Sequence, residues 1–374
     1  MKIPTTDDIK SLDKPFEITP FLTEWDRTSS DVINPVPFIN AKFGNRPMLT
    51  PMDPATGTGW CNWNKSMLDE TVKNNPVLYL EYGSFDSHIK QLYQACADTG
   101  QPRLIVTHDK IRSAVPVPAN VRIIHTNAMA YQFSKLVSDH SNIRPVLHRS
   151  VADLEHSFLF MAANPNSDRT RVLMMLESLG VLENALCSSP DVEVSTRQYI
   201  TDNIGINQHL NHLHSKYLGS DYSKFGMKGN LRTISDLLDK CHFHVAMDSD
   251  VLYTSYINWC VGEKHLQGFT TTTPVLPIWD QPETQTMKEW GFRFNNIPSR
   301  DESESEQEAV MRWCKEILFY YQMIENKEWA QSWQDLQGED TFHNFMLCKR
   351  LHGTISSNVE KQIDELPTEF QNLQ

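Results

Sequence analysis

Three groups of residues carry types and spacings that could do chemistry. Residues 158–186, FLFMAANPNSDRTRVLMMLESLGVLENAL, run from an apolar stretch through a polar loop containing Asn164 into a helix-patterned segment with Arg169 and Arg171 in its first turns. A helix N-terminus offers unpaired N–H groups and partial positive charge, and two guanidinium groups beside it suit a diphosphate. The alternative is a surface helix capped by its own Asp168, with both arginines solvated. A second group, Asp248 and Asp250, follows the apolar run Phe243–Met247. Two carboxylates at a strand end can hold a hard divalent cation that also touches a diphosphate, or can be ordinary turn residues. The third is Glu263 and Lys264, followed by GFTTTTPVLPIWD over residues 268–280. There the carboxylate could accept from sugar hydroxyls while the ammonium, with Thr270 and Thr271, donates to phosphate. The alternative is an exposed pair at a helix start.

The elements that must position these groups alternate between short apolar runs and amphipathic stretches. Strands are expected at residues 77–80, 104–106 and 121–124, with helices at His88 to Ala97 and Ala128 to Ser138. After a polar stretch from Asp139 to Arg149 the rhythm resumes with a strand at Ser157–Met161 and a helix through Val172 and Leu179. Further strands are expected at Val192–Val194, Phe243–Ala246 and Val275–Ile278, with a helix around Ile234 to Leu238. That rhythm predicts parallel sheets covered on both faces, with ligands at the carboxyl ends of the strands. We divide the chain into an N-terminal α/β domain (1–150), a second α/β domain (151–330) and a helical tail (331–374). Facing each other, two such domains would form a cleft. The tail reads as one long helix from Glu306 to about Asp335 and another from Thr341 to Leu351. Loops after the N-terminal strands supply the candidates for a catalytic base: Asp86, His88, His108, Asp109 and His125.

Composition narrows the function. Hydrophobic residues make up 40% of the 374 and charged residues 22%, as in folded globular proteins. The formal net charge of −13 has the wrong sign for holding polyanions by bulk attraction, so any nucleic-acid contact needs a local basic patch. No apolar run reaches the ~20 residues of a membrane span, and MKIPTTDDIK lacks the apolar stretch of a secretion signal, so a cytoplasmic location is expected. The seven cysteines are scattered and never form a CxxC pair, which predicts reduced, mostly buried thiols. The acidic run from Arg300 to Glu308 is the only low-complexity stretch.

Taken in order, these segments resemble a group of virus- and phage-type glycosyltransferases. The segment FLFMAANPNSDRTRVLMMLESLGVLENALCS resembles the opening of that group's donor domain, with its apolar strand, Asn-containing loop and Arg-bearing helix start. GEKHLQGFTTTTPVLPIWD looks like its Glu-Lys element, and MKEWGFRFNNIPSRDESES like its Gly-Phe and acidic element. The Glu-Lys element is also similar to the donor motif of α1,3-fucosyltransferases. The match covers residues 156–318, with Gly262 where the group has Thr and without the Tyr of the acidic element. The resemblance implies a GT-B-like fold of two Rossmann-like domains and a nucleotide-sugar donor. It implies Arg169 and Lys264 on the diphosphate, Arg171 as a second candidate, and Glu263 on sugar or ribose hydroxyls. No cofactor is required. A metal at Asp248 and Asp250 belongs to the alternative, a GT-A-like transferase, and a non-catalytic sugar-nucleotide-binding protein is a second alternative. The acceptor implied by the viral context is a glycan or a modified DNA base, with a host cytoplasm as the location.

Overall fold

Apolar runs bounded by amphipathic stretches become parallel strands and their covering helices. The computed structural model describes residues 39, 42–44, 48–49, 65–80, 86–108, 111, 113–139, 149–161, 167–182, 184–188, 237–247, 261, 263–279, 281–295, 297–298 and 303–373. The first elements are β1 (Met48–Leu49), α1 (Lys65–Asn74), β2 (Val77–Leu80), α2 (Asp86–Asp98), β3 (Arg103–Thr107), β4 (Val121–His125) and α3 (Ala128–Asp139). They build a four-stranded parallel sheet in the order β1-β2-β3-β4. Then come β5 (His156–Met161), α4 (Ser167–Ser178), β6 (Leu186–Ser188), β7 (Cys241–Met247), α5 (Glu263–Gln267), β8 (Val275–Trp279), α6 (Gln281–Glu289) and β9 (Ile297–Pro298). These give a five-stranded parallel sheet in the order β6-β5-β7-β8-β9. Helices α7 (Glu306–Glu325), α8 (Lys327–Asp364) and α9 (Thr368–Gln371) complete the chain. The protein is therefore α/β with parallel sheets. The expected strand at Val192–Val194 lies outside the described residues.

The chain divides into two compact units. One holds the four-stranded sheet and takes the described residues up to Asp139, then the chain again from Lys349; the other holds the five-stranded sheet. The division also passes between Glu263 and Lys264. Helix α8 thus belongs to one unit as far as Cys348 and to the other beyond it.

Each sheet has its own core, as the burial of both faces of a parallel sheet requires. In the four-stranded unit Leu78, Leu80, Ile105 and Val121 pack with Ile89, Leu92, Tyr93 and Cys96 of α2. The stripe runs at intervals of three and four residues, so one face of α2 covers the sheet. Returning to this unit, α8 shields the free edge of β4: Gln362 accepts from the His125 N–H at 2.9 Å and donates to the His125 carbonyl at 3.0 Å. In the five-stranded unit Phe158, Phe160, Phe243, Val245, Leu276 and Ile278 pack with Val172, Leu176, Trp313 and Ile317.

The tail differs from the sequence expectation. A break at Asn326 ends α7 early, and α8 then runs without interruption through the expected gap to Asp364. Asn326 is extended (φ −82, ψ 103), and its side chain accepts from the Glu328 N–H at 3.0 Å, so it closes one helix and caps the next. The acidic run before α7 is structural. Ser305 and Glu308 form a capping box, and Glu304 holds Arg312 by two bonds of 2.9 and 2.6 Å. Cys96, Cys187, Cys241, Cys314 and Cys348 are buried thiols outside any disulfide. Burial raises the thiols of Cys96, Cys314 and Cys348 to about 12, which keeps them unreactive.

Candidate functional site

At the carboxyl end of the five-stranded sheet, helix α4 begins with Ser167 and brings its first turn to the end of β7. Arg169 is fully buried and donates from Nη2 to the Met247 carbonyl at 2.7 Å, so this guanidinium ties α4 to the last residue of β7. Arg171 is half-buried and paired with Glu306 at 2.6 Å. Neither arginine is a solvated surface residue. Asn164, Asp248 and Asp250 lie outside the described residues. Among the described residues there is no cluster of three or more His, Cys, Asp or Glu that could hold a metal.

Helix α5 starts at Glu263 and Lys264, whose side chains also lie outside the description. Its next residue, His265, is buried and tilts against Trp279, the last residue of β8, with ring centroids 4.9 Å apart. The start of α5 therefore reaches the carboxyl end of β8. The turn that follows needs Gly268, because a Cβ there would lie 2.6 Å from Val275 Cγ2 and 2.9 Å from His244 Nδ1. The threonine run is buried and turned inward. Thr270 donates to the Gln267 carbonyl at 2.7 Å, Thr271 donates to Thr273 Oγ1 at 2.9 Å, and Thr273 donates to the Leu238 carbonyl at 2.7 Å. The hydroxyls of Thr270 and Thr271 thus secure the turn, where the sequence reading has them donating to phosphate.

Sequence reasoning passed over two residues at this end. Glu283 and Thr284 sit in the first turn of α6, directly after β8, and are 0% and 2% exposed. The Thr284 hydroxyl has no hydrogen-bond partner among the described residues. A buried carboxylate is rarely placed without a use, and the signal was available: an acid and a hydroxyl in the helix turn that opens after an apolar strand.

At the carboxyl end of the four-stranded sheet, β3 and β4 pair with Thr107 opposite His125. Their pairing continues past the strands: Thr126 donates to the Thr107 carbonyl from both N–H (2.9 Å) and hydroxyl (3.0 Å), and the Asn127 N–H donates to the His108 carbonyl. Asn127 adopts a left-handed φ of 46 as it enters α3. His108 is buried, and desolvation pulls its pKa down to about 4, which leaves the ring neutral at physiological pH. His88, in the first turn of α2, is also buried, and burial lowers its pKa. His125 is half-buried at the end of β4. Asp86 opens α2, with its side chain outside the description, and Asp109 lies outside the described residues. The expected bases His88, His108 and His125 thus share one end of one sheet.

No helix among the described residues is long and apolar enough to cross a membrane. No protein-family model matches the chain, and no curated protein matches its sequence. Among solved structures, a crystal structure of a GtfA/B complex aligns with a TM-score of 0.41 at 8% identity, over 82% of this chain and 55% of that one. The Glycosylation Associate Protein (Gap123) complex from Streptococcus agalactiae aligns with a TM-score of 0.34 at 10% identity, over 80% of this chain and 53% of that one. The chain spans about half the length of these structures.

Proposed function

We propose that the chain is a GT-B-like glycosyltransferase that moves a sugar from a nucleotide-sugar to an acceptor hydroxyl, with a glycan or a modified DNA base as the acceptor. The bond from the sugar's anomeric carbon to the diphosphate breaks, and the diphosphate leaves with the electron pair. A bond to the acceptor oxygen forms, and the acceptor proton passes to a base. Lys264 and the N-terminus of α4 hold the diphosphate, while Glu263 and Glu283 accept from ribose or sugar hydroxyls. Arg169 keeps the first turn of α4 against β7 and adds positive charge behind the phosphates. Arg171 stands in reserve through its pair with Glu306. No metal is needed in this scheme, since cationic side chains and helix N–H groups stabilise the leaving group.

The observation that carries the reading is the packing of His265 on Trp279, which brings the Glu-Lys helix start to the strand end where parallel sheets bind ligands. The experiment is donor titration with UDP-, GDP- and CMP-linked sugars, followed by assays for transfer and donor hydrolysis with and without a strong chelator. Binding of one nucleotide class with chelator-resistant turnover supports the reading. Chelator-sensitive turnover favours a metal at Asp248 and Asp250, and binding without turnover favours a sugar-nucleotide-binding protein.

A further inference from the structure

Helix α8 carries two large apolar side chains that the core does not use. Leu336 is 73% exposed and Trp329 is 55% exposed. They are seven residues apart, and Asp340 follows Leu336 by four, so the three share one stripe of the helix. Beside this stripe lies a recess of about 20 Å³, lined by Val275 at the amino end of β8, by the rings of Phe269, Phe294 and Tyr320, and by Arg293 and Asp340 at its rim. That volume admits little more than a water, or the tip of one aliphatic side chain. Its outer wall is fixed: the buried Asn344 accepts from the Arg293 N–H at 2.7 Å and donates to the Arg293 carbonyl at 2.5 Å, which pins that loop to α8. The Arg293 side chain is held less firmly. Its guanidinium meets Asp340 at 3.5 Å with both side chains more than half exposed, whereas Arg312 binds Glu304 through two bonds of 2.9 and 2.6 Å.

We infer that this face of α8 is an interface between two copies of the chain, with Leu336 of each copy seated in the recess of the other and Arg293 of each facing Asp340 of the other. The commitment to a second copy comes from self-complementarity. One face carries both an exposed leucine and a recess sized for its tip, and the rim of that recess carries one cation and one anion. A two-fold operation sets each of these against its complement, because a residue that meets a second residue across such an axis is met in return. Leu336 and Asp340 lie about one turn apart, so an axis passing between them brings the leucine of one helix to the recess beside the other. The loose pair within each copy then exchanges for two pairs across the axis, where less water screens them. Trp329, two turns before Leu336 on the same stripe, supplies an aromatic anchor of the kind that interfaces favour.

The test is sedimentation velocity of the full chain over a concentration series, with circular dichroism as the check on folding. Wild type is expected to run as a monomer–dimer equilibrium. Leu336→Asp should raise the dimer dissociation constant about thirtyfold or more, because it sets a carboxylate against an apolar recess. Its circular-dichroism spectrum should match wild type, since the side chain is exposed within one copy. Arg293→Asp and Asp340→Arg should each weaken association about tenfold by setting like charges opposite one another, and the two changes combined should restore it. A wild type that stays monomeric throughout the series overturns the inference, as does a dimer that Leu336→Asp leaves intact or a double exchange that fails to recover association. If Leu336→Asp alters the spectrum, Leu336→Ala takes its place with an expected weakening of about tenfold, and wild-type association in that variant overturns the inference equally.

Discussion

The carboxyl ends of the two sheets differ in the side chains they gather. Near the end of the five-stranded sheet the described side chains include Arg169, Arg171 paired with Glu306, and Glu283, whereas near the end of the four-stranded sheet they include Thr107, Asn127 and the imidazoles of His108 and His125. A diphosphate needs fixed positive charge, and an acceptor alcohol needs neutral hydrogen-bonding groups plus a base that is unprotonated at working pH. One fold pattern used twice thus ends in two chemically distinct sets of side chains, and each substitution below tests whether the distinction is real.

The largest effect should come from acid. His108 and His244 are buried and neutral, with pKa values pulled to about 4 by desolvation. The unfolded chain, with ordinary histidines near 6.5, binds more protons than the native state, so stability falls as pH drops from about 6.5 towards 4. Each histidine contributes roughly 3 kcal/mol of loss across that window, and none above it. Urea titrations at pH 7.5 and 4.5 check this, and equal midpoints would show that these rings are already hydrated.

Arg169→Ala should cost about 3 kcal/mol, through a lost bond to Met247 and the volume of a fully buried side chain. Arg169→Lys should recover little, because an ammonium cannot reproduce the planar donor edge. Thermal melts of both variants distinguish this from a solvated arginine, which would tolerate either change.

Thr107→Val should move the other way and stabilise by about 1–2 kcal/mol, since it replaces an unpaired buried hydroxyl with a methyl group of the same shape. The smallest change is expected for Arg171→Ala. Its pair with Glu306 is only partly buried, and such pairs are worth under about 1 kcal/mol.

Much of this architecture could be read from the amino-acid order. Val77–Leu80 and Phe243–Met247 are covered on both faces, so they appear as continuous apolar runs bounded by turns, and α2 and α3 show their periodicity plainly. What stayed hidden depends on distant contacts. The return of the chain to the first unit rests on bonds between His125 and Gln362, 237 positions apart. The break at Asn326 turns on one side chain capping the next helix, a choice that a solvated asparagine would not make. At the site, the arginines and threonines were recognisable as polar groups beside a strand end. Whether a group faces a ligand or the backbone is decided by residues far along the chain. Thr270 turned inward to Gln267 and Arg169 to Met247, while Thr107, with nothing local to mark it, was left unpaired.

The central claim, a nucleotide-sugar diphosphate held at the charged end, is tested most directly by isothermal titration of wild type and Lys264→Ala with the donor that binds best among UDP-, GDP- and CMP-linked sugars. A charge-assisted bond of roughly 1.5–3 kcal/mol predicts affinity lower by about tenfold to a hundredfold in the variant, with an unchanged circular-dichroism spectrum. Equal affinity in the two proteins, or no binding of any donor to wild type, would contradict it.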